Sequence, residues 1–289
     1  MLKINLNDND IKIPPEKIGI DMGQSLTKFA YLDGEDLSLS LFNTQSDSSD
    51  INTHLYSLRD QFKYFNFTGG RSYELFTKYS KEVNSSLINE FEANMRGIEF
   101  LYKLEKKNKL PRSIIVCIGT GTSIVLKNNG FQHLGGSALG GGFFMGIIKT
   151  VFNLNDFHEA IRLAKRGNRY NVDLKVSDIY HPADKRIDLI FREFTAASLG
   201  KINENFKRQS LNKEDFINSI ICLVGENLGT IADAIANNHG VKNIVFCGGL
   251  LRENRILKKI LSLICKVNGK NGIFLKKSEF CAAIGALLI

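Results

Sequence analysis

Apolar residues fall into short runs at the head of each half of the chain and into helical spacings after them. The segment 17–21 (KIGID) reads as a buried strand, 22–25 as a turn and 26–32 as a second strand. Asp33-Gly34 is a hairpin signal leading to a third strand at 37–42. The stretch 44–52 reads as a polar loop, 53–62 as a helix, and 65–68 as a short strand running into Gly69-Gly70. From Asn89 to Lys106, the positions Phe91, Met95, Ile98 and Tyr102 keep helical spacing. The charged stretch 106–111 ends in proline and marks a boundary between an N-terminal lobe, 1–110, and a C-terminal lobe, 111–289.

The second lobe begins as the first does. A strand at Ser113–Ile118 runs into Gly119-Thr120-Gly121-Thr122, and the strands 123–127 and 131–134 flank the hairpin signal Asn129-Gly130. Helical patterns follow at 143–152, 156–165, 194–205 and 213–237. A buried-looking strand, Asn243–Cys247, ends in Gly248-Gly249; then come a helix at 254–267, a strand at 273–275 and a terminal helix at 282–288. The repeated opening of strand, hairpin and glycine turn predicts an α/β protein of two related lobes.

Composition narrows the function classes. With 289 residues, 43% hydrophobic and 24% charged, the chain has enough apolar material for two cores, which excludes general disorder. Its longest apolar runs, such as Ser113–Ile118, fall short of a bilayer span, so no membrane is expected. The polar, acidic start lacks the basic head and apolar stretch of a secretory leader. The five cysteines are scattered, with no C-x-x-C pair, which predicts neither a zinc site nor a disulfide framework and suits a reducing cytoplasm. The net charge of +8 lies wholly after residue 110. No aromatic–basic motif accompanies it, so it reads as attraction for a small polyanion plus surface lysines, not as a nucleic-acid footprint.

Nine of the 25 glycines fall between Gly119 and Gly146. That density marks backbone that turns tightly or approaches a ligand closely. Three loops follow this logic: Asp21-Met22-Gly23-Gln24-Ser25 between two strands, Gly119-Thr120-Gly121-Thr122-Ser123 after a strand, and 135–142 before a helix. Such loops point amides and hydroxyls at phosphate, and a helix start adds its dipole. Asp21 at a strand end suits Mg²⁺, a cation that prefers oxygen ligands, and Lys28 supplies a point charge for a phosphate. Neither the Rossmann nor the Walker pattern is present. Glu90, at a helix start after Thr68-Gly69-Gly70, has the chemistry of a base that orients an alcohol and takes its proton.

These segments, with Glu90-Phe91-Glu92-Ala93, the stretches 166–176 and 194–200, Gly248-Gly249 and Ala283-Ile284-Gly285-Ala286-Leu287, resemble type II pantothenate kinases. That family lies within the acetate kinase/sugar kinase/Hsp70/actin superfamily, and the resemblance spans nearly the whole chain. It implies a two-lobed actin-like/ribonuclease-H-like ATPase fold with a nucleotide cleft between the lobes, and ATP-dependent phosphorylation of pantothenate to 4′-phosphopantothenate, the first step of coenzyme A biosynthesis. It implies Mg²⁺ at Asp21 and nucleotide at Gly23, Ser25, Lys28, Thr120, Gly121, Thr122, Gly140, Gly141, Gly142 and Gly248. Glu90 and Lys28 are the implied catalytic residues, with His133, Thr195 and Ala196 on the pantothenate side. A homodimer, with coenzyme A or acyl-CoA as regulator, is implied as well.

The sequence departs from that family at two positions. Gln24 stands where the family usually has a second glycine, and His133 where it carries an arginine, which has more donors and a fixed charge. These departures keep two alternatives open: a kinase of the same superfamily acting on another small alcohol, and a weakly active nucleotide- or CoA-binding regulator. The superfamily's iron–sulfur activators require clustered cysteines, which the spacing does not predict.

Overall fold

The structure is a computed structural model that describes residues 2–6, 12–186 and 192–289. Its first sheet contains β1 (Leu2–Asn5), β2 (Lys17–Met22), β3 (Leu26–Asp33), β4 (Asp36–Asn43), β5 (Tyr64–Thr68) and β6 (Asn84–Leu87), in the order β1-β4-β3-β2-β5-β6. The hairpin signals give the antiparallel meander β2–β3–β4; β5 and β6 then add in parallel on the other side of β2. The second sheet contains β7 (Ser113–Ile118), β8 (Thr122–Lys127), β9 (Phe131–Ser137), β12 (Asn243–Cys247) and β13 (Asn271–Phe274), in the order β13-β12-β7-β8-β9. It repeats the plan: β7–β8–β9 is antiparallel, and β12 and β13 extend it in parallel. Between them in sequence, β10 (Leu174–Lys175) and β11 (Thr195–Ala197) form a separate ribbon.

Helices cover the sheets: α1 (Ser48–Leu58), α2 (Tyr73–Tyr79), α3 (Glu90–Lys106), α4 (Gly141–Phe152), α5 (Phe157–Ala164), α6 (Val176–Ile179), α7 (Lys213–Asn238), α8 (Arg255–Val267) and α9 (Cys281–Leu288). Strand alternation sorts β7 residues to two faces. Ile114, Val116 and Ile118 join a core with α4, α5, α7 and α8, while Ile115 joins a second core containing Met95 and Ile98 of α3 and Ile284 and Leu287 of α9. That second core also takes Ala30, Leu37 and Leu39 from the first sheet, so α3 and α9 are sandwiched between the sheets. A third core places Ile51, Leu55 and Leu58 of α1 on Phe29, Phe65 and Phe67.

Glycine makes the sandwich possible. A side-chain carbon at Gly97 would collide with the Cys281 carbonyl, one at Gly285 with the Ala93 carbonyl, and one at Gly19 with the Ala283 carbonyl. The backbones of α3, α9 and β2 therefore meet directly. Asn66 Nδ2 donates to the Ala286 carbonyl at 2.7 Å from a buried position on β5, which fixes the helix lengthwise.

Several expectations need correcting. The helix expected at 53–62 begins at Ser48 and ends at Leu58, because Asp47 and Asn43 close a turn before it and its polar residues face solvent. The segment 194–205 is not helical: Thr195–Ala197 is a strand, and Leu199 takes a left-handed φ of 58° while its amide donates to buried Asp173. The elements α2 and β6 carry no apolar periodicity strong enough to expect. The helix α7, 26 residues long, is long and apolar enough to cross a membrane by length and composition, although 56% of its most apolar window is buried inside the fold. The cysteines are scattered only in sequence. Cys117 and Cys247 are register partners on β7 and β12, and Cys247 also lies within hydrogen-bond reach of Cys281 at the start of α9.

Candidate active site

The C-terminal ends of β2 and β7 meet where the two sheets face each other. Asp21 ends the buried part of β2 and is 5% exposed. Lys28, its cross-strand partner on β3, reaches back so that Nζ donates to Asp21 Oδ2 at 2.6 Å. The other carboxylate oxygen, Oδ1, lies against Gly69, where a Cβ would come within 2.6 Å of it. Gly69 has φ 94°, so glycine is required there on both conformational and steric grounds. Burial alone would push the Lys28 ammonium down; the charge and hydrogen bond of Asp21 outweigh it and hold Lys28 above its usual value.

The loop between β2 and β3 is closed by the Gly23 amide donating to the Leu26 carbonyl at 3.0 Å. Thr44 braces it from outside the expected motif. Its hydroxyl lies 3.0 Å from the Gly23 carbonyl and 3.0 Å from the Thr27 hydroxyl, and its amide donates to the Ser25 carbonyl. Gln24 is exposed and is not among the residues with positive φ, so this turn does not demand a glycine there.

Glu90 is the first residue of α3. Asn89 caps the helix by accepting from the Phe91 and Glu92 amides at 2.9 and 3.2 Å. Glu90 opens onto the cleft, yet the protein crowding its carboxyl and the negative charge of Asp21 raise its pKa above the ordinary glutamate value, against the opposing pull of Lys28. One ammonium thus serves two carboxylates. Thr68, the register partner of Asp21 on β5, is fully buried, and its Oγ1 has no hydrogen-bond partner among the described residues.

The second loop lies opposite. Ser25 Oγ and Thr120 Oγ1 are 3.1 Å apart, so hydroxyls from the two loops touch across the cleft. The amides at the start of α4 are less free than the sequence suggests. Gly141 donates to the Gly119 carbonyl at 2.8 Å, and Gly142 to the Thr120 carbonyl at 2.9 Å. The Thr122 hydroxyl is likewise committed, donating to the Leu139 carbonyl at 2.7 Å. Gly140 and Gly142 pack on this loop so closely that side chains would collide with Thr120. Gly248, with φ 103°, sits on the peptide of Ile118 where the second loop begins.

His133 belongs to β9, but its ring packs at a tilt of 43° against Phe91 with centroids 4.5 Å apart. It therefore reaches the start of α3, beside Glu90. Thr195 and Ala196 lie elsewhere, on the β10–β11 ribbon, and no hydrogen bond, ion pair or ring contact joins them to Glu90 among the described residues. The turn leading into that ribbon is anchored to α7 by a buried ionic cluster. Asp173 accepts from Arg169 Nε at 2.6 Å, from Ser219 Oγ at 2.5 Å and from the Leu199 amide at 2.7 Å, and Arg169 also pairs with Glu226.

With this geometry in place, the relatives can be compared. The family model described as Fumble matches residues 43–289. A protein named type II pantothenate kinase from Bacillus cereus is 33% identical over 275 residues, covering 94% of this chain and 96% of that one. Its namesake from Oceanobacillus iheyensis is 33% identical over the same length, covering 94% and 99%. Among solved structures, the activator of 2-hydroxyisocaproyl-CoA dehydratase from Clostridium difficile with bound ADPNP superposes with a TM-score of 0.61 at 18% identity, covering 94% of this chain and 92% of that one. A ROK family glucokinase from Streptomyces griseus in complex with glucose and AMPPNP gives 0.56 at 12%, covering 94% and 97%. With the strand orders above, these likenesses show the expected two-lobed actin-like ATPase fold.

Proposed function

This chain belongs to the Fumble family of type II pantothenate kinases, and we propose from that membership that it transfers the γ-phosphoryl group of ATP to pantothenate, giving 4′-phosphopantothenate for coenzyme A biosynthesis. The observation that carries the reading is the grouping of Glu90, Asp21 and Lys28 at the point where the Ser25 and Thr120 hydroxyls meet. A phosphoryl donor needs hydroxyls and a fixed cation, and an alcohol acceptor needs a carboxylate that takes its proton.

In this reading Glu90 accepts the proton of the pantothenate primary hydroxyl. Its raised pKa brings it closer to the pH at which a base works best. Lys28 contributes fixed positive charge beside the transferring group. Ser25, Thr120 and the backbone around Gly23 and Gly121 line the phosphates, and Gly140–Gly142 act by allowing α4 to pack on the second loop. Gly248 holds the end of β12 against that loop. Mg²⁺ fits the donor set: Asp21 Oδ1 faces a side-chain-free cradle at Gly69, and the second carboxylate, Glu90, adds negative charge nearby. When bound, the cation would neutralise charge on the phosphates. Most of the rate then comes from positioning and electrostatics.

In this reading His133, whose ring rests against Phe91, donates a hydrogen bond to the substrate beside Glu90. Thr195 and Ala196 enter this reading through a partner subunit of a homodimer, which size-exclusion chromatography with light scattering tests. Sensitivity to coenzyme A or acyl-CoA and a cytoplasmic location, where ATP is supplied and thiols stay reduced, belong to the same reading.

The deciding experiment is a coupled ADP-release assay with pantothenate and a panel of small alcohols. ADP release on pantothenate, with the phosphorylated product seen by mass spectrometry, supports the assignment. Release on another alcohol and none on pantothenate overturns it in favour of a different kinase substrate, the alternative that His133 motivates.

A further inference from the structure

Three thiols converge below the phosphate loops. Cys117 and Cys247 are direct register partners on the adjacent parallel strands β7 and β12, and their sulfurs are 2.9 Å apart. Both are free, and Cys117 is partly exposed while Cys247 is fully buried. Adjacent strands run about 4.8 Å apart, within the roughly 4.4–6.8 Å that Cα atoms of a disulfide span. Cys281, the third thiol, donates to Asn94 Oδ1 at 2.9 Å and lies near enough to Lys28 to add, after Asp21, to the upward shift of its pKa. No group of three metal-ligating side chains able to hold a metal is found among the described residues.

We propose that Cys117 and Cys247 form a peroxide-oxidisable dithiol whose closure to a disulfide slows phosphoryl transfer and whose reduction restores it. A hydroperoxide reaches Cys117, the partly exposed member. The sulfur bonds the terminal peroxide oxygen as the O–O bond breaks; hydroxide or alkoxide leaves and takes the thiol proton, giving a sulfenic acid and one molecule of water or alcohol. The Cys247 sulfur then attacks the Cys117 sulfur, forming the S–S bond as the S–O bond breaks; the hydroxyl leaves as water with the Cys247 proton, so two thiols are oxidised and the peroxide is reduced. Hydrogen bonding to Cys117 and Cys281, and then burial, hold the Cys247 thiol well above its usual pKa, consistent with its acting second.

Position supplies the link to the reaction. Cys117 lies two residues before Gly119, and Cys247 directly precedes Gly248. Bonding draws the sulfurs from 2.9 Å to about 2.0 Å. The strand spacing already suits the bond, so closure falls on the two side chains and the strand ends that carry them; Gly248 rests on the Ile118 peptide without room for a Cβ, so a twist there passes to the loop that begins at Gly119. A displacement of about 1 Å at a positioned site costs up to about 100-fold in rate, and a fall of at least about tenfold is expected.

The rate effect rests on the kinase reading; the cross-link does not, and the two fail separately. The full chain is treated with hydrogen peroxide, then analysed by non-reducing peptide mapping, thiol titration and turnover. The expected result is loss of two of the five thiols, a Cys117–Cys247 linked peptide, slower turnover, and recovery with dithiothreitol. Cys117→Ser and Cys117→Ala keep their turnover under peroxide, and Cys281→Ser still forms the bridge. Five surviving thiols, an oxygen adduct on Cys117 alone, a Cys247–Cys281 bridge, or a bridge that leaves turnover unchanged each overturns the proposal. If no turnover is found on any alcohol, nucleotide affinity of the reduced and oxidised chain replaces it as the readout, and equal affinities overturn the coupling.

Discussion

Lys28 Nζ lies 2.6 Å from Asp21 Oδ2, and the two residues face each other directly across the β2–β3 hairpin. Their side chains are 13% and 7% exposed, so this is a buried pair. Removing one partner strands the other's charge at low dielectric. Lys28→Met is expected to lose about 3–5 kcal/mol of stability by urea unfolding, in addition to phosphoryl transfer. Lys28→Arg, which keeps the charge, should retain more of the stability than of the transfer. Wild-type stability in Lys28→Met would show that the pair is not energetically coupled.

Glu90 gives a pH signature. Burial and then Asp21 raise its pKa, and Lys28 lowers it. A base must be deprotonated, so turnover should fall on acidification through a value above that of ordinary glutamate, about 4.3. Carboxyl-carbon NMR reads the group without needing activity. Asp21→Asn should move the Glu90 titration down and Lys28→Met should move it up. Unchanged midpoints in both variants would mean that Glu90 does not sense the pair.

The α3–α9 crossing predicts a packing phenotype. Gly97 and Gly285 sit where an added Cβ overlaps a backbone carbonyl of the facing helix, and backbone cannot swing aside as a side chain can. Gly97→Ala and Gly285→Ala should each cost at least about 1–3 kcal/mol in chemical denaturation. Gly34→Ala has open space around it and a φ of 65°, so its cost should come from backbone strain alone, about 1 kcal/mol.

The parts of this fold that announce themselves locally were legible in the sequence. Asp33-Gly34 and Asn129-Gly130 mark hairpins because tight turns need such residues, and the apolar run Ser113–Ile118 marks a strand buried on both faces. Helix α3 shows itself by the spacing of its apolar residues. What depends on distant partners did not show. Strand β6 is N-S-S-L and is a strand because β5 pairs with it. The segment 194–205 carries apolar residues suited to a helix, yet Asp173 captures the Leu199 amide and turns the chain. Residue type singled out Asp21, Lys28, Glu90 and the glycine loops, and the fold brings the three charged groups within electrostatic reach of one another. The bracing by Thr44, the tilted ring contact of Phe91 with His133 and the meeting of Cys117 with Cys247 arise only from strand register and lobe closure.

His54 on α1 is a half-buried weak point toward acid. Its ring packs edge-on to Phe29 at 4.8 Å, and Nε2 has no hydrogen-bond partner among the described residues. Burial lowers its pKa below the ordinary histidine value. The unfolded chain therefore binds its proton more readily, and stability falls as pH drops through about 6.5 toward the lower folded value. His54→Phe should remove this component, flattening the loss of stability between neutral pH and pH 5 in denaturant titrations. An identical pH slope in the variant and the wild type would refute the assignment.

Glu90 is proposed as the proton acceptor for pantothenate phosphorylation in this cleft. Single-turnover transfer from labelled ATP to pantothenate tests it most directly, with nucleotide affinity measured alongside for wild type and Glu90→Gln. Transfer in Glu90→Gln should fall by about 100- to 10,000-fold with ATP affinity kept within a few fold. Transfer at the wild-type rate in Glu90→Gln would contradict it.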